Sequence, residues 1–132
     1  MKEKIIAVVA GVVVAMIIVF IMEAITGVIF PMPEGTDVAN YVSNASAGMF
    51  ILLILGYLAA AVGGGGVAAY LAPEKKHLYA LGIGVFLTLA GIYNFMNISH
   101  PFWVEILSVA AFLGGSYWAG QYVIKNYANR KL

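Results

Sequence analysis

The side chains able to do chemistry in this chain are few. Asn94, Asn97, Ser99 and His100 form a polar run leading out of an apolar segment, and Glu105 follows shortly after. Glu23 stands alone between the apolar runs 5–22 and 24–30. A carboxylate, a histidine and two carboxamides at one level could take up a proton, hold a cation or grip a small polar ligand. Thr26 and Ser108 lie three residues after Glu23 and Glu105 and so share their helix faces. The expected cluster is Glu23, Thr26, Asn94, Asn97, His100, Glu105 and Ser108.

Two readings of this cluster stand. In the first, Glu23 pairs with His100, the asparagines cap and bridge helix ends, and Glu105 sits in the positive first turn of its helix. In the second, the same groups form a small vestibule for a cation, a proton or a polar ligand. Metal binding has less support, because four crossings put His77 and His100 on opposite sides of the membrane and a two-histidine site cannot form within one chain. No metal or other cofactor is expected. Ser99 beside His100 is adjacency in sequence, not a triad, so no enzyme activity is expected either.

The elements that must position these residues follow from composition. Of 132 residues, 63% are hydrophobic and 10% charged, against about half and about a quarter in a soluble domain. The apolar residues fall into four runs, each near the ~20 residues that a helix needs to cross a hydrocarbon core. The expected fold is all-α: a single polytopic domain over 1–132, an antiparallel bundle of four transmembrane helices at about 5–30, 47–72, 76–98 and 101–124. The basic residues are not gathered into a phosphate-tracking patch, so nucleic acid is not an expected partner. There is no cysteine, which removes disulfides and thiolate sites. The first run is longer than a signal-peptide core and lacks a clean cleavage site after it, so it reads as a retained helix.

Pro31 and Pro33 end segment one, and the stretch 31–40, with two prolines, a glycine and two acids, reads as an exposed loop. Ser43, Asn44 or Ser46 would cap segment two. Segment two stops at Pro73, and residues 74–77 make a tight charged turn. Pro101 would lie in the first turn of segment four with Ser99 as its cap. Four crossings place Lys2, Lys4, Lys75, Lys76, Lys125, Arg130 and Lys131 on one side, and the loops of the other side carry only Glu34, Asp37 and His100. By the positive-inside rule both termini are cytoplasmic. Tyr70, Tyr79, Tyr117, Trp118 and Tyr122 fall near the inner interface, and Phe30, Tyr41, Tyr93, Phe102 and Trp103 near the outer one. Counting ~1.5 Å per residue from Lys4 puts Glu23 about 28 Å along the axis, close to the outer boundary of the core.

Lipid supplies no hydrophobic drive between helices, so small residues must allow close backbone approach. Segment one offers Ala7, Gly11 and Ala15; segment two Gly56, Ala60, Gly64, Ala68 and Ala72; segment three Ala80, Gly84 and Thr88; segment four Ala111, Gly115 and Ala119. Gly63 and Gly91 add further packing positions. The run Gly63–Gly66 lacks the Lys-Ser/Thr of a phosphate-binding loop. It is either a point of very close helix contact or a helix break whose freed carbonyls hold an ion or substrate.

Glu23 late in segment one, Pro31-x-Pro33-x-Gly35 after it, the glycine-rich second segment, and Asn94 followed by His100-Pro101-x-Trp103 together resemble a set of small bacterial inner-membrane proteins with four helices and no established activity. The resemblance covers nearly the whole chain. It implies the fold and a bacterial inner membrane, and supplies no catalytic residues. Small multidrug transporters also have four short helices and a glutamate in the first, but this chain has a longer first outer loop and a glutamate nearer its segment's end. The expected function is that of a structural or accessory membrane protein acting through helix packing in the lipid bilayer, as a homo-oligomer or beside a larger partner. The alternative is a small transporter or channel subunit that binds a cation or proton at an outer-half cluster around Glu23.

Overall fold

Among the described residues, four stretches wind into helices long and apolar enough to cross a membrane. In the computed structural model, which describes residues 1–43, 45–98 and 100–127, the order is α1 (Lys2–Ile29), α2 (Val38–Ser43), α3 (Ala47–Leu71), α4 (Lys76–Asn97) and α5 (Phe102–Tyr127). No strand occurs among the described residues, and the architecture is a helical bundle. The caps expected of Ser43, Asn44 and Ser99 and the tail charges of Arg130 and Lys131 lie outside the described residues and side chains.

Helix ends are set by local chemistry. Ser46 caps α3 by accepting from the Met49 N–H at 3.3 Å. At the other end of α3, the Lys76 ammonium reaches back to the carbonyls of Ala69, Tyr70 and Ala72 at 3.1, 3.3 and 2.8 Å. A cation there meets both the orphan carbonyls and the negative end of the helix dipole. Pro101 sits just before α5 and not within its first turn: its carbonyl accepts from Val104 and Glu105 N–H at 3.0 and 3.3 Å. The helix α2 departs from the sequence reading, in which 31–40 is loop. Pro33–Thr36 forms a turn with Gly35 at φ +79, and then the Asp37 carboxylate caps α2 by accepting from the Asn40 N–H at 2.7 Å. Val42 of α2 is buried against Met49, Phe50 and Val104, and the Tyr41 hydroxyl donates to the Phe30 carbonyl.

One end of the bundle carries the chain's N-terminus, the 72–76 turn and the end of α5; the other carries the long α1–α3 loop and the short α4–α5 loop. We call these the basic end and the loop end. α3 is the hub, packing against α1, α4 and α5, while α1 and α5 make no contact with each other among the described residues. The seams are made of small residues. Ala7, Gly11 and Ala15 on α1, Gly56, Ala60, Gly64 and Ala68 on α3, Ala80 and Gly84 on α4, and Gly115 and Ala119 on α5 are all buried. α3 is continuous through Gly63–Gly66, which removes the reading of that run as a broken helix. A Cβ on Gly64 would fall 2.7 Å from both the Ala15 Cβ and the Gly11 carbonyl oxygen; one on Gly11 would fall 2.8 Å from the Ala68 Cβ. The outward surfaces are apolar, as lipid requires: Ile17, Phe20 and Ile21 on α1 and Leu55, Leu89 and Ile106 elsewhere are all more than half exposed.

Candidate functional site

The packing of α1 on α3 fixes the depth of Glu23. Lys4 pairs with Glu74 at 3.6 Å, Gly11 meets Gly64 and Ala68, Ala15 meets Gly64, and Met22 meets Gly56. Glu23 is therefore level with Gly56 and Tyr57. Gly56 lies about 5 Å from the midpoint of α3, at 1.5 Å per residue. This is deeper than the count from Lys4 implies. That count takes Lys4 as the edge of the core, whereas its partner Glu74 lies in the turn beyond the end of α3.

Glu23 is exposed on the flank of α1. At 100° per residue it follows Val8, Val12 and Val19 on one stripe of the helix. Val8 borders a shallow groove against Leu78, Tyr79, Gly82 and Ile83 of α4, which places that stripe on the α4 side of α1. Tyr57 of α3 stands at the depth of Glu23. Its ring packs into the central apolar cluster, 5.1 Å from the Phe112 ring of α5.

The other expected members of the cluster do not join Glu23. Thr26 is buried and donates back to the Met22 carbonyl at 2.7 Å, a bond within its own helix. Asn94 is exposed near the loop end of α4. Asn97 is exposed and donates to the Tyr93 carbonyl at 2.8 Å. His100 lies with Nδ1 2.7 Å from the Ile98 carbonyl oxygen, its ring 4.9 Å from Phe95 and 6.2 Å from Phe50. Because a carbonyl only accepts, this contact places the proton on Nδ1. Glu105 borders a different recess, between α4 and α5, with Ile92, Phe95 and Met96. Ser108 is fully buried, and its Oγ finds no hydrogen-bond partner among the described residues.

The expected Glu23–His100 pair does not form. The ion pair among the described residues is Lys4–Glu74, between side chains that are 51% and 62% exposed, and it contributes little. For His100 the cause is depth: its ring lies by Phe50, six residues along α3 from the Gly56 level of Glu23. For Glu105 and Ser108 it is topological. Glu23 belongs to α1, Glu105 and Ser108 to α5, and α3 stands between those helices. Lying in the same half of the bundle therefore does not bring them together. The polar residues resolve into a set toward the loop end, in which Asn97 and His100 bond to nearby carbonyls, and one acid on the flank of α1.

The structure singles out two residues that the sequence reading passes over. Lys76 reads there only as a loop charge, although a lysine four residues after the last helical carbonyls is within reach to cap them. Tyr57 carries a visible signal too, since a tyrosine in the middle of an apolar span puts a polar atom at depth. Comparison with protein-family models, with curated proteins and with solved structures gave no match.

Proposed function

We propose that this is a small accessory protein of the membrane that works by packing beside another transmembrane helix, from a second copy or a larger protein, along α1 at the level of Glu23. The observation that carries the reading is the position of Glu23, an acid exposed on the flank of the bundle and well within the length of its spanning helices. A carboxylate facing hydrocarbon is costly, and intramembrane acids are commonly found paired. A helix that brings an amide, a hydroxyl or a cation to that depth removes the cost. α1 is also the least buried of the four spanning helices, so it has the most surface to offer. On this reading the chain lies in a bacterial inner membrane with both termini cytoplasmic, as its lysines suggest, and groups with the small four-helix proteins it resembles.

Gentle detergent extraction of the tagged protein from its native membrane, followed by mass spectrometry, tests this. The expected result is a reproducible larger partner or a homo-oligomer that is retained by the wild type and lost in Glu23→Leu, with the variant's helix content unchanged. Recovery of wild type and variant alike as lone monomers overturns it.

A second reading, a small transporter or channel subunit, draws on the depth of Glu23, level with Tyr57 of α3. There Glu23→Gln abolishes cation or proton flux in reconstituted vesicles while the protein stays folded. Wild-type vesicles without flux overturn that reading.

A further inference from the structure

The four-glycine run is more than helix contact requires. A Cβ on Gly63 would strike the Ile18 side chain, one on Gly64 would strike α1, and one on Gly65 would fall 3.2 Å from the Cα of Ser116. A Cβ on Gly66 would meet only the Ala119 Cβ, at 3.9 Å, an ordinary contact. Gly66 instead floors a groove of ≈ 620 Å³ between α3 and α5, toward the basic end. Leu55, Ala59, Val62, Gly66 and Tyr70 succeed one another at helical spacing along one face of α3. The bulk is lowest at Gly66, and the lining runs on through Tyr70 to Tyr127.

Its rim is aromatic. Trp118 and Tyr122 of α5 stack at 5.5 Å and 25°, and Tyr70 and Tyr127 meet edge to face at 5.4 Å and 82°. These rings stand at the level where a membrane's polar boundary meets the basic end, as amphipathic rings do. Lys125 follows Trp118 and Tyr122 at i+7 and i+3, on the same side of α5, and is exposed. An exposed cation thus follows the aromatic rim on α5, toward the basic end of an apolar groove.

We infer that this groove is a binding site for a single anionic phospholipid, one acyl chain lying on Gly66 between α3 and α5 and the headgroup phosphate at Lys125. The site is independent of Glu23, which lies on the opposite flank of α1. A second helix is the other candidate occupant. The groove is apolar along α3 and α5 and carries tyrosines, with Lys125 close by in α5, toward the basic end, which suits a lipid with an acyl chain and an acidic head.

Trp118 supplies the readout, because the chain has only two tryptophans. In a Trp103→Phe background, the full chain is reconstituted into phosphatidylcholine vesicles containing a minor fraction of phosphatidylglycerol, with bromine on the acyl chains of one lipid or the other. Brominated phosphatidylglycerol is expected to quench Trp118 with about fivefold preference over brominated phosphatidylcholine at equal mole fraction, the factor that one lysine at a membrane surface supplies. Gly66→Leu, whose Cβ meets only an ordinary contact with Ala119 and whose side chain would occupy the groove, should abolish the preference with circular dichroism unchanged. Lys125→Gln, at an exposed position where folding is not at stake, should also abolish it. Quenching in simple proportion to mole fraction in the parent protein, or a preference that survives both changes, overturns the inference. So does protection of Trp118 that grows with protein-to-lipid ratio, which would give the groove to a second copy.

Discussion

At the scale of single residues, the glycines of α3 are not interchangeable. Gly64 is pressed against a carbonyl oxygen and a methyl group of α1 at 2.7 Å, so a methyl there must push two backbones apart. Gly64→Ala should therefore lower stability by about 1–3 kcal/mol, the range for overpacking a tight contact. Gly66 has room, so Gly66→Ala should be neutral or stabilising by up to about 1 kcal/mol, the helix-propensity gain over glycine. Unfolding by sodium dodecyl sulfate in mixed micelles, followed by circular dichroism, separates the two; equal losses at both positions would contradict the packing described. Lys76 is the second residue whose identity matters. Its ammonium serves three carbonyls at the end of α3, and hydrogen bonds to charged groups contribute about 1.5–3 kcal/mol each at most. Because these three share one partly exposed donor, Lys76→Met should cost about 1–3 kcal/mol in the same assay. Lys75→Met, at an exposed neighbour, should cost much less if the cap and not the loop charge is what matters.

At the scale of elements, α3 holds the bundle together, and its parallel pairing with α5 can be checked directly. The chain has no native cysteine, and the Cβ positions of Gly66 and Ala119 lie 3.9 Å apart, inside the ~3.5–4.5 Å range of disulfides. Gly66→Cys with Ala119→Cys should cross-link nearly completely under mild oxidation, seen as a mobility shift reversed by reductant. Gly66→Cys with Ala90→Cys should not. The spanning helices and their seams are legible in the sequence because lipid imposes both: the apolar runs give the helices, and four-residue spacing of glycine and alanine gives the contact faces. The helix α2 is not legible. Pro31, Pro33 and Gly35 dominate any local reading of that stretch, whereas its helix depends on the Asp37 cap and on burial of Val42 against Phe50 and Val104, the latter far along the chain.

At the scale of the whole molecule, what the sequence does not disclose is adjacency. Depth places Glu23, His100 and Glu105 in the same half of the bundle, but only the order of helices around α3 says that α1 and α5 are kept apart. A linear count also sets Glu23 too far out, because it carries no sign that Lys4 pairs with a residue of the 72–76 turn. The orientation of the bundle rests on a global feature that is legible: the described residues Lys2, Lys4, Lys75, Lys76 and Lys125 all lie at one end, and Glu34 and Asp37 at the other. Asp37→Cys and Lys75→Cys turn this into a measurement in intact bacteria expressing the tagged protein. A membrane-impermeant maleimide should label the cysteine at 37 directly and the one at 75 only after permeabilisation, since lysines are retained on the cytoplasmic side. The Asp37 change also removes the α2 cap, so Glu34→Cys, in the same loop and away from that cap, should label identically. Labelling of position 75 before permeabilisation would place the basic end outside, and with it the groove beneath Lys125. Labelling of both ends in the same cells would mean that the chain inserts in two orientations, a result that seven basic residues against six acidic ones overall do not forbid. The gathering of the lysines at one end, more than the total of either sign, is what predicts a single one.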